Sequence, residues 1–214
     1  MAKKVTPGYS KDRASNRRKI AMAIVFLCII GAVIFLMWDN DKKAPDQEPT
    51  PLAISENSSV FNQSFEKLLN AYYSLKDALV KSDTAKANAA SVALVINADS
   101  LKVEEIEGDT SGLIKETARN FAGTISGSAK AVLGEPELEA KRKEFEMITD
   151  AMWSLTRTIQ YNGAKVYYQY CPMAFDDKGA YWLSNEPEIM NPYFGDKMLN
   201  CGSVVDSVDY SAGR

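Results

Sequence analysis

The chain has 214 residues, 46% of them hydrophobic and 25% charged, which suits one globular domain with an appendage. Seven Lys and Arg side chains lie in residues 1–19 beside one acid, so the rest of the chain is acidic, which argues against a nucleic-acid partner. The absence of histidine excludes Ser-His and Cys-His nucleophile pairs, and there is no Gly-rich phosphate loop; we expect that the protein is not an enzyme.

An uncharged stretch of nineteen residues, Ile20–Trp38, follows the basic tail 1–19. As a helix it would be roughly 28 Å long, about the thickness of the hydrocarbon core of a bilayer. A cleaved signal peptide is the alternative, but the stretch is longer than a typical signal core and no A-x-A-like site follows it. We therefore predict a single-pass anchor at 20–38, oriented by the positive-inside rule with the N-terminus in the cytoplasm.

A polar, proline-rich segment, 39–57, is predicted to be an extended linker. Residues 58–162 then show four amphipathic stretches. The first stretch has apolar residues at helical spacing. The second is alanine-rich and should run from Thr84 to about Ile106. Ser82 or Asp83 is predicted to cap its N-terminus. The predicted core positions of these two helices are Phe61, Phe65, Leu68, Tyr72, Leu75 and Leu79, then Ala89, Val92, Ala93 and Ile96.

Two more helices complete this region. Gly123 and Gly127 weaken the third, Gly134 should end it, and Asn162-Gly163 should end the fourth. Their predicted core positions are Ile114, Ala118, Phe121, Ile125 and Val132, then Leu138, Phe145, Ile148, Met152, Leu155 and Ile159. Short connections between four amphipathic helices predict a mainly α fold, an antiparallel four-helix bundle, with a longer helical hairpin as the alternative.

The C-terminal segment, 163–214, has a different pattern. Aromatic and β-branched residues at 165–170 predict an extended strand, and 180–184 is predicted to pair with it as a short hairpin. The FDDKG sequence at 175–179 reads as a turn, since it lacks the alternating acids of a calcium loop. This irregular tail must pack on the helices to be ordered, and its predicted anchors are Tyr181, Trp182, Tyr193 and Phe194.

Sulfur is concentrated in the same tail, which contains Cys171, Met173, Met190, Met198 and Cys201. Thiolate and thioether are soft ligands that suit Cu(I) and, by the same logic, Ag(I). In an oxidising compartment the two cysteines would instead tend to form a disulfide. A Cys171–Cys201 disulfide closes a loop of about thirty residues and would stabilise the tail by roughly 3–4 kcal/mol. Inert packing, or a metal site switched by oxidation, are the remaining interpretations.

The tail also resembles a known family. Its blocks CPMA, G-x-x-WLS, I-x-NPYFG and M-x-x-CG begin at Cys171, Gly179, Ile189 and Met198. The resemblance covers about 58–205 and includes YYSLKDALVKSD at 72–83. The family is an uncharacterised helical domain of exported bacterial proteins, also fused to periplasmic adaptors of copper/silver efflux systems.

The resemblance implies a periplasmic domain that handles Cu(I) or Ag(I) through Cys171, Met173, Met198 and Cys201. Many members carry histidines, so a site in this chain would be all-sulfur. The hairpin and barrel regions of the adaptors are also absent from it. We therefore expect a protein of the bacterial inner membrane whose partners are efflux or envelope components. The alternative is an envelope interaction module whose tail is held by a Cys171–Cys201 disulfide.

Overall fold

The computed structural model describes Met22 and residues 56–211. The predicted basic tail, the predicted membrane anchor at 20–38 apart from Met22, and the predicted linker at 39–57 apart from its last two residues lie outside the described residues. Within the described part, no helix has both the length and the hydropathy needed to cross a bilayer.

Residues 56–211 form a mainly helical structure with a small antiparallel sheet near the C-terminus, as the sequence predicts. The four long helices are α1 Ser59–Val80, α2 Thr84–Asp99, α3 Leu113–Gly134 and α4 Leu138–Thr158. Two short strands, β1 Glu56–Asn57 and β2 Ile106–Glu107, pair with each other beside the helices.

Long-range hydrogen bonds fix how α1 and α4 run relative to each other. At one end, Asn57 Nδ2, which precedes α1, donates to the carbonyl of Ile159 just after α4, at 2.8 Å. At the other end, Arg142 Nη2 in the first turns of α4 donates to the carbonyl of Leu79, near the end of α1, at 3.4 Å. The start of each helix therefore lies beside the end of the other, so the two are antiparallel.

Side chains cap the N-termini of α1 and α2, and of these two caps the sequence predicted the one on α2. The Ser58 hydroxyl accepts from the N–H of Phe61 at 3.1 Å. Asp83, rather than Ser82, caps α2 by accepting from the N–H of Lys86 at 2.9 Å. Each cap satisfies a backbone donor that has no partner within the helix. All six predicted core positions of α1 are fully buried.

The prediction for α2 is wrong in two respects. The helix ends at Asp99 instead of Ile106, and a 3₁₀ turn at Val103–Glu105 follows it. The predicted core residues Val92 and Ile96 are 47% and 60% exposed. Alanine and β-branched residues occur on all sides of this helix, so its faces differ little in hydrophobicity and the sequence does not show which one is buried. The face that is buried consists of Ala87, Ala90, Ser91, Leu94 and Ala98.

The other two helices form as predicted, with a difference at one end. Gly123 and Gly127 lie inside the regular helix α3, and Gly134 is its last residue. Helix α4 ends at Thr158, earlier than the predicted stop at Asn162-Gly163, and Gln160 takes the left-handed conformation with φ of 49°. Gln160, rather than a glycine, thus takes the left-handed conformation that ends this helix.

Three antiparallel strands make the C-terminal sheet. Strands β3, Val166–Cys171, and β4, Ala180–Ser184, confirm the predicted hairpin, and β3 is the central strand. Strand β5, Ser203–Val208, pairs with the other edge of β3 and was not predicted. Its side chains are mostly exposed, so it lacks the burial pattern by which strands are recognised.

Tyr72 ties the sheet to the helices. Its hydroxyl lies 2.8 Å from Thr149 Oγ1 of α4 and accepts from the N–H of Leu183 in β4 at 2.9 Å. Burial raises the pKa of Tyr72 far above its usual range, so the phenol stays neutral. A second link is the ring of Tyr168, which stacks on Trp153 with centroids 4.4 Å apart.

We expect Tyr72→Phe to lower the free energy of unfolding by about 1–3 kcal/mol, because it leaves the buried N–H of Leu183 without an acceptor. The neighbouring Tyr73→Phe is the matched control. The Tyr73 hydroxyl is itself buried without a partner in the structure, so its removal should be neutral or stabilising. Urea denaturation of both variants measures the difference, and equal losses would contradict the assignment.

Candidate sulfur site

Cys171 is the last residue of β3 and is fully buried. Side chains alternate along a strand, so Cys171 and Gln169 share one face, while Tyr168 lies on the opposite face against α4. The face with Cys171 is therefore turned away from α4. Pro172 follows directly and ends the strand pairing, as its missing N–H predicts.

Cys201 approaches Cys171 from the end of the loop 185–201. The two Sγ atoms lie 3.3 Å apart in a hydrogen bond between free thiols. That hydrogen bond raises the pKa of the Cys201 thiol. Cys201 is only partly buried, so one thiol of the pair is reachable from solvent and the other is enclosed.

Asn191 of the NPYFG segment holds the loop in this position. Its side-chain Nδ2 donates to the carbonyl of Cys201 at 2.8 Å, and its Oδ1 accepts from the N–H of Tyr193 at 2.8 Å. The backbone N–H of Asn191 also donates to the carbonyl of Leu199 at 2.8 Å. A single fully buried amide thus fixes the backbone at Cys201 through polar groups that have no access to water.

Two further buried polar side chains fasten the loop to the fold. Gln169 Nε2 donates to the carbonyls of Glu186 and Glu188, at 3.0 and 3.1 Å. Arg142 Nε donates to the carbonyl of Pro192 at 2.8 Å. The loop is therefore attached to the central strand at its beginning and to α4 at its middle.

The predicted aromatic anchors divide into two groups. Trp182 and Tyr193 are buried and contact each other edge to face, with centroids 6.1 Å apart. Phe194 is half-buried, and Tyr181 is 37% exposed, where it stacks on Tyr168 at 4.7 Å. Burial raises the pKa of Tyr193 well above its ordinary value. Tyr193 thus packs the loop against Trp182 of the sheet, and Tyr181 stacks on the opposite face of the sheet.

The two methionines of the predicted site are placed differently from the cysteines. Met173 lies two residues after Cys171, with its side chain 47% exposed. Met198 is half-buried, and its carbonyl accepts from the N–H of Cys201 at 3.1 Å. The structure thus brings the two thiols into contact and sets a thioether close to each of them along the chain.

The predicted FDDKG turn is a turn of unusual form. Phe175, Asp176 and Asp177 all have left-handed backbone conformations, with φ of 53°, 57° and 64°. Gly179 follows at φ of 80°, and a Cβ there would lie 2.0 Å from the hydroxyl oxygen of Tyr170. Such backbone is costly for residues with side chains, and here it returns the chain from Met173 into β4.

Sequence reasoning found the sulfur atoms and missed the polar residues that position them. Asn191, Gln169 and Arg142 give no periodic pattern, and their buried polar groups are recognisable only once the loop is folded. Within residues 56–211, no group of three or more cysteine, aspartate or glutamate side chains is placed to hold a metal ion. Any metal bound at this position would therefore depend on the two thiols and on the thioethers.

Comparisons with known proteins give one family match. A family described as "Protein of unknown function (DUF3347)" matches residues 68–163. The match begins within α1 and ends just after α4, so it covers the helical part and stops before the sheet that carries the cysteines. No curated protein and no solved structure matches the chain. The helical part is thus similar to an uncharacterised family.

Proposed function

We propose that this chain binds Cu(I) or Ag(I) through Cys171 and Cys201, with Met173 and Met198 as supplementary ligands. In this proposal it is a non-enzymatic protein, anchored in the bacterial inner membrane by residues 20–38. Its four-helix domain then faces the periplasm, where efflux or envelope components would be its partners. The contact of the two thiols, 3.3 Å apart, is the observation that carries the proposal.

The chemistry of this pair favours a soft ion. Two thiolates with thioethers nearby match the preference of Cu(I), which accepts low coordination numbers, whereas zinc requires four good ligands. At a metal–sulfur distance of about 2.3 Å, two thiolates on one ion are roughly 3.8 Å apart in tetrahedral coordination and up to about 4.6 Å apart in linear coordination. The 3.3 Å pair therefore needs to open by about 0.5–1.3 Å, and the half-exposed Cys201 is the side that can move.

The proposal is tested by titrating the reduced full-length chain with Cu(I) in detergent, under anaerobic conditions, against a chromogenic chelator. We expect Cys201→Ser to weaken binding by more than about 100-fold, beyond the usual effect of losing an outer-shell group. Cys28→Ser is the matched control, because it removes a thiol outside the tail, and it should leave binding unchanged. Equal affinities of all three proteins would refute the site.

The thioethers require a separate variant. Met173→Ala combined with Met198→Ala should weaken binding while both thiols remain. The exposed Met147→Ala removes a thioether from α4 and serves as the control. Unchanged affinity in the double variant would limit the site to the two cysteines.

The same thiol contact also favours the second candidate function, a non-metal envelope module held by a disulfide. Oxidation would form one S–S bond between Cys171 and Cys201 and pass two electrons and two protons to a disulfide oxidant. The two functions use the same sulfur atoms, so an oxidised pair cannot bind the ion. A chain isolated without reductant and then denatured should show three reactive thiols for the metal site, and one, Cys28, for the disulfide.

A further inference from the structure

A small cavity lies between the first turns of α4, the FDDKG turn and the NPYFG loop. Its volume is about 190 Å³. An engineered cavity of about 150 Å³ in another protein holds benzene, so this cavity has room for a single ring or a short chain with a polar group. The residues that form its walls include Glu139, Arg142, Phe175, Tyr193, Phe194 and Lys197.

Arg142 supplies a buried positive charge to this cavity, since it is only 7% exposed. Its Nε donates to the carbonyl of Pro192 at 2.8 Å, and its Nη2 lies 3.4 Å from both the Leu79 carbonyl oxygen and the Ser82 hydroxyl. Nη1 lies 3.5 Å from Glu139 Oε2, at the outer limit of a hydrogen bond. Among these contacts with described residues, only the one to Pro192 has an ordinary hydrogen-bond length. The guanidinium, with five N–H donors, therefore has donors left for an anion.

Glu139 is a weak partner for this charge. Its side chain is 61% exposed, and an exposed carboxylate gains little from an ion pair at 3.5 Å. A carboxylate inside the cavity would be shielded from water, and its hydrogen bonds to a guanidinium are shorter and stronger than those between neutral groups. Lys197, which is exposed, adds a second positive charge at the rim. The charges of the walls thus favour an anion.

The other walls are aromatic. The rings of Phe175 and Tyr193 meet edge to face, with centroids 5.2 Å apart. The Tyr193 hydroxyl donates to the carbonyl of Tyr181, so Tyr193 offers the cavity its ring rather than a free hydroxyl. Phe175 has a left-handed backbone with φ of 53°, and this costly conformation sets its ring against Tyr193. With Phe194, these rings suit the apolar body of a ligand whose charged group lies at Arg142.

We propose that this cavity binds a carboxylate with a short apolar or aromatic body, which Arg142 receives through Nη1 and Lys197 attracts at the rim. A phosphate dianion fits less well, because a second charge would be buried against aromatic rings. A free small acid and the C-terminus of a peptide present the same carboxylate, so both are sources of this ligand. The inference is independent of the proposed metal function, since the cavity walls contain no thiol or thioether.

The probe is 4-fluorobenzoate, and its binding to the full-length chain in detergent is followed by ¹⁹F NMR relaxation, with detergent alone as the blank. We expect saturable binding of 4-fluorobenzoate and none of 4-fluorobenzamide, which has nearly the same shape without the charge. A benzoate signal no larger than the blank, or an amide that binds equally well, would overturn the proposal.

Variants at exposed positions separate binding from folding. Lys197→Glu reverses the rim charge and should weaken binding more than about tenfold. Lys143→Glu makes the same change at an exposed position of α4 outside the cavity, where salt screens it, and should alter binding less than about twofold. Glu139→Gln removes the carboxylate that competes for Nη1 of Arg142, so binding should become about fivefold tighter. Unchanged affinity in both Lys197→Glu and Glu139→Gln would refute the site.

Competition decides the source of the carboxylate. A short acetylated peptide that ends in a free phenylalanine carboxylate is added to the 4-fluorobenzoate complex, and the same peptide with a C-terminal amide is its control. Displacement by the free-acid peptide alone identifies a peptide C-terminus as a ligand, whereas displacement by neither peptide restricts the cavity to small free acids. Displacement by the amidated peptide would contradict the proposal, because the negative charge would then not be what the cavity recognises.

Discussion

Arg142→Ala is expected to lower the free energy of unfolding by about 1–3 kcal/mol, because it leaves the carbonyl of Pro192 without a donor. Arg142 is 7% exposed and donates to the carbonyls of Pro192 and Leu79, at 2.8 and 3.4 Å. Leaving a buried acceptor unsatisfied costs about 1–3 kcal/mol. This cost applies to the Pro192 carbonyl, since the Leu79 carbonyl also accepts from the N–H of Ser82 at 3.1 Å. The planar guanidinium reaches both partners at once, so one side chain joins α4, the end of α1 and the NPYFG loop.

The loop should also detach from the sulfur pair in this variant. Because Pro192 adjoins Asn191, which holds the backbone of Cys201, we expect faster alkylation of Cys201 in the reduced Arg142→Ala chain. Arg142→Lys should recover only part of the stability, since an ammonium is a point charge without the fixed fork of donors. Chemical denaturation and thiol-labelling rates measure the two effects.

Lys143→Ala is the control for Arg142→Ala. It removes an exposed cation from the next position of α4 and should change stability by less than about 0.5 kcal/mol. An Arg142→Ala chain as stable as Lys143→Ala would show that the loop does not depend on these hydrogen bonds.

The buried face of a helix was predictable where apolar and charged residues occupy opposite sides of it. In α1 the stripe of large apolar residues from Phe61 to Leu79 is separated from charged residues, and the whole stripe is buried. In α2 the same reasoning chose the wrong face, because Val92 and Ile96 are larger than the alanines that are buried. Close packing between helices selected small residues at this position, and the sequence alone does not say which neighbours approach.

The sequence predicted the sulfur residues of the site, but it did not predict the hydrogen bonds that position them. The thirty-residue spacing of Cys171 and Cys201 allowed a disulfide or a metal site, and the structure places the two Sγ atoms 3.3 Å apart. The partners of Asn191 lie on a loop with little regular structure, so no periodic pattern could reveal them. Strand β5 was missed for a related reason, since its residues, valines included, are mostly exposed and show no alternation of buried and exposed positions. Tertiary contacts determine both the hydrogen bonds of Asn191 and the pairing of β5.

Gly202→Ala is expected to destabilise the protein by about 2–5 kcal/mol, because the position combines strained backbone with a close approach. Its φ is 143°, where side chains are disfavoured, and a Cβ would lie 2.7 Å from the carbonyl oxygen of Tyr170 and 2.8 Å from the Trp182 ring. Strain and overpacking cost about 1–3 kcal/mol each. The backbone of Tyr170 and the fully buried indole of Trp182 cannot move aside to make room for the Cβ, as a flexible surface side chain could.

The same substitution tests how Cys201 is positioned. Gly202 connects Cys201 to β5, so relief of the clash should move Cys201 away from Cys171 and slow disulfide formation by a given oxidant. Gly134→Ala is the matched control, since a Cβ there meets nothing within 4 Å and alanine favours the helix by up to about 1 kcal/mol. If Gly202→Ala oxidised at the rate of the unaltered chain, with unchanged stability, the close approach at Gly202 would not be what holds the two thiols together.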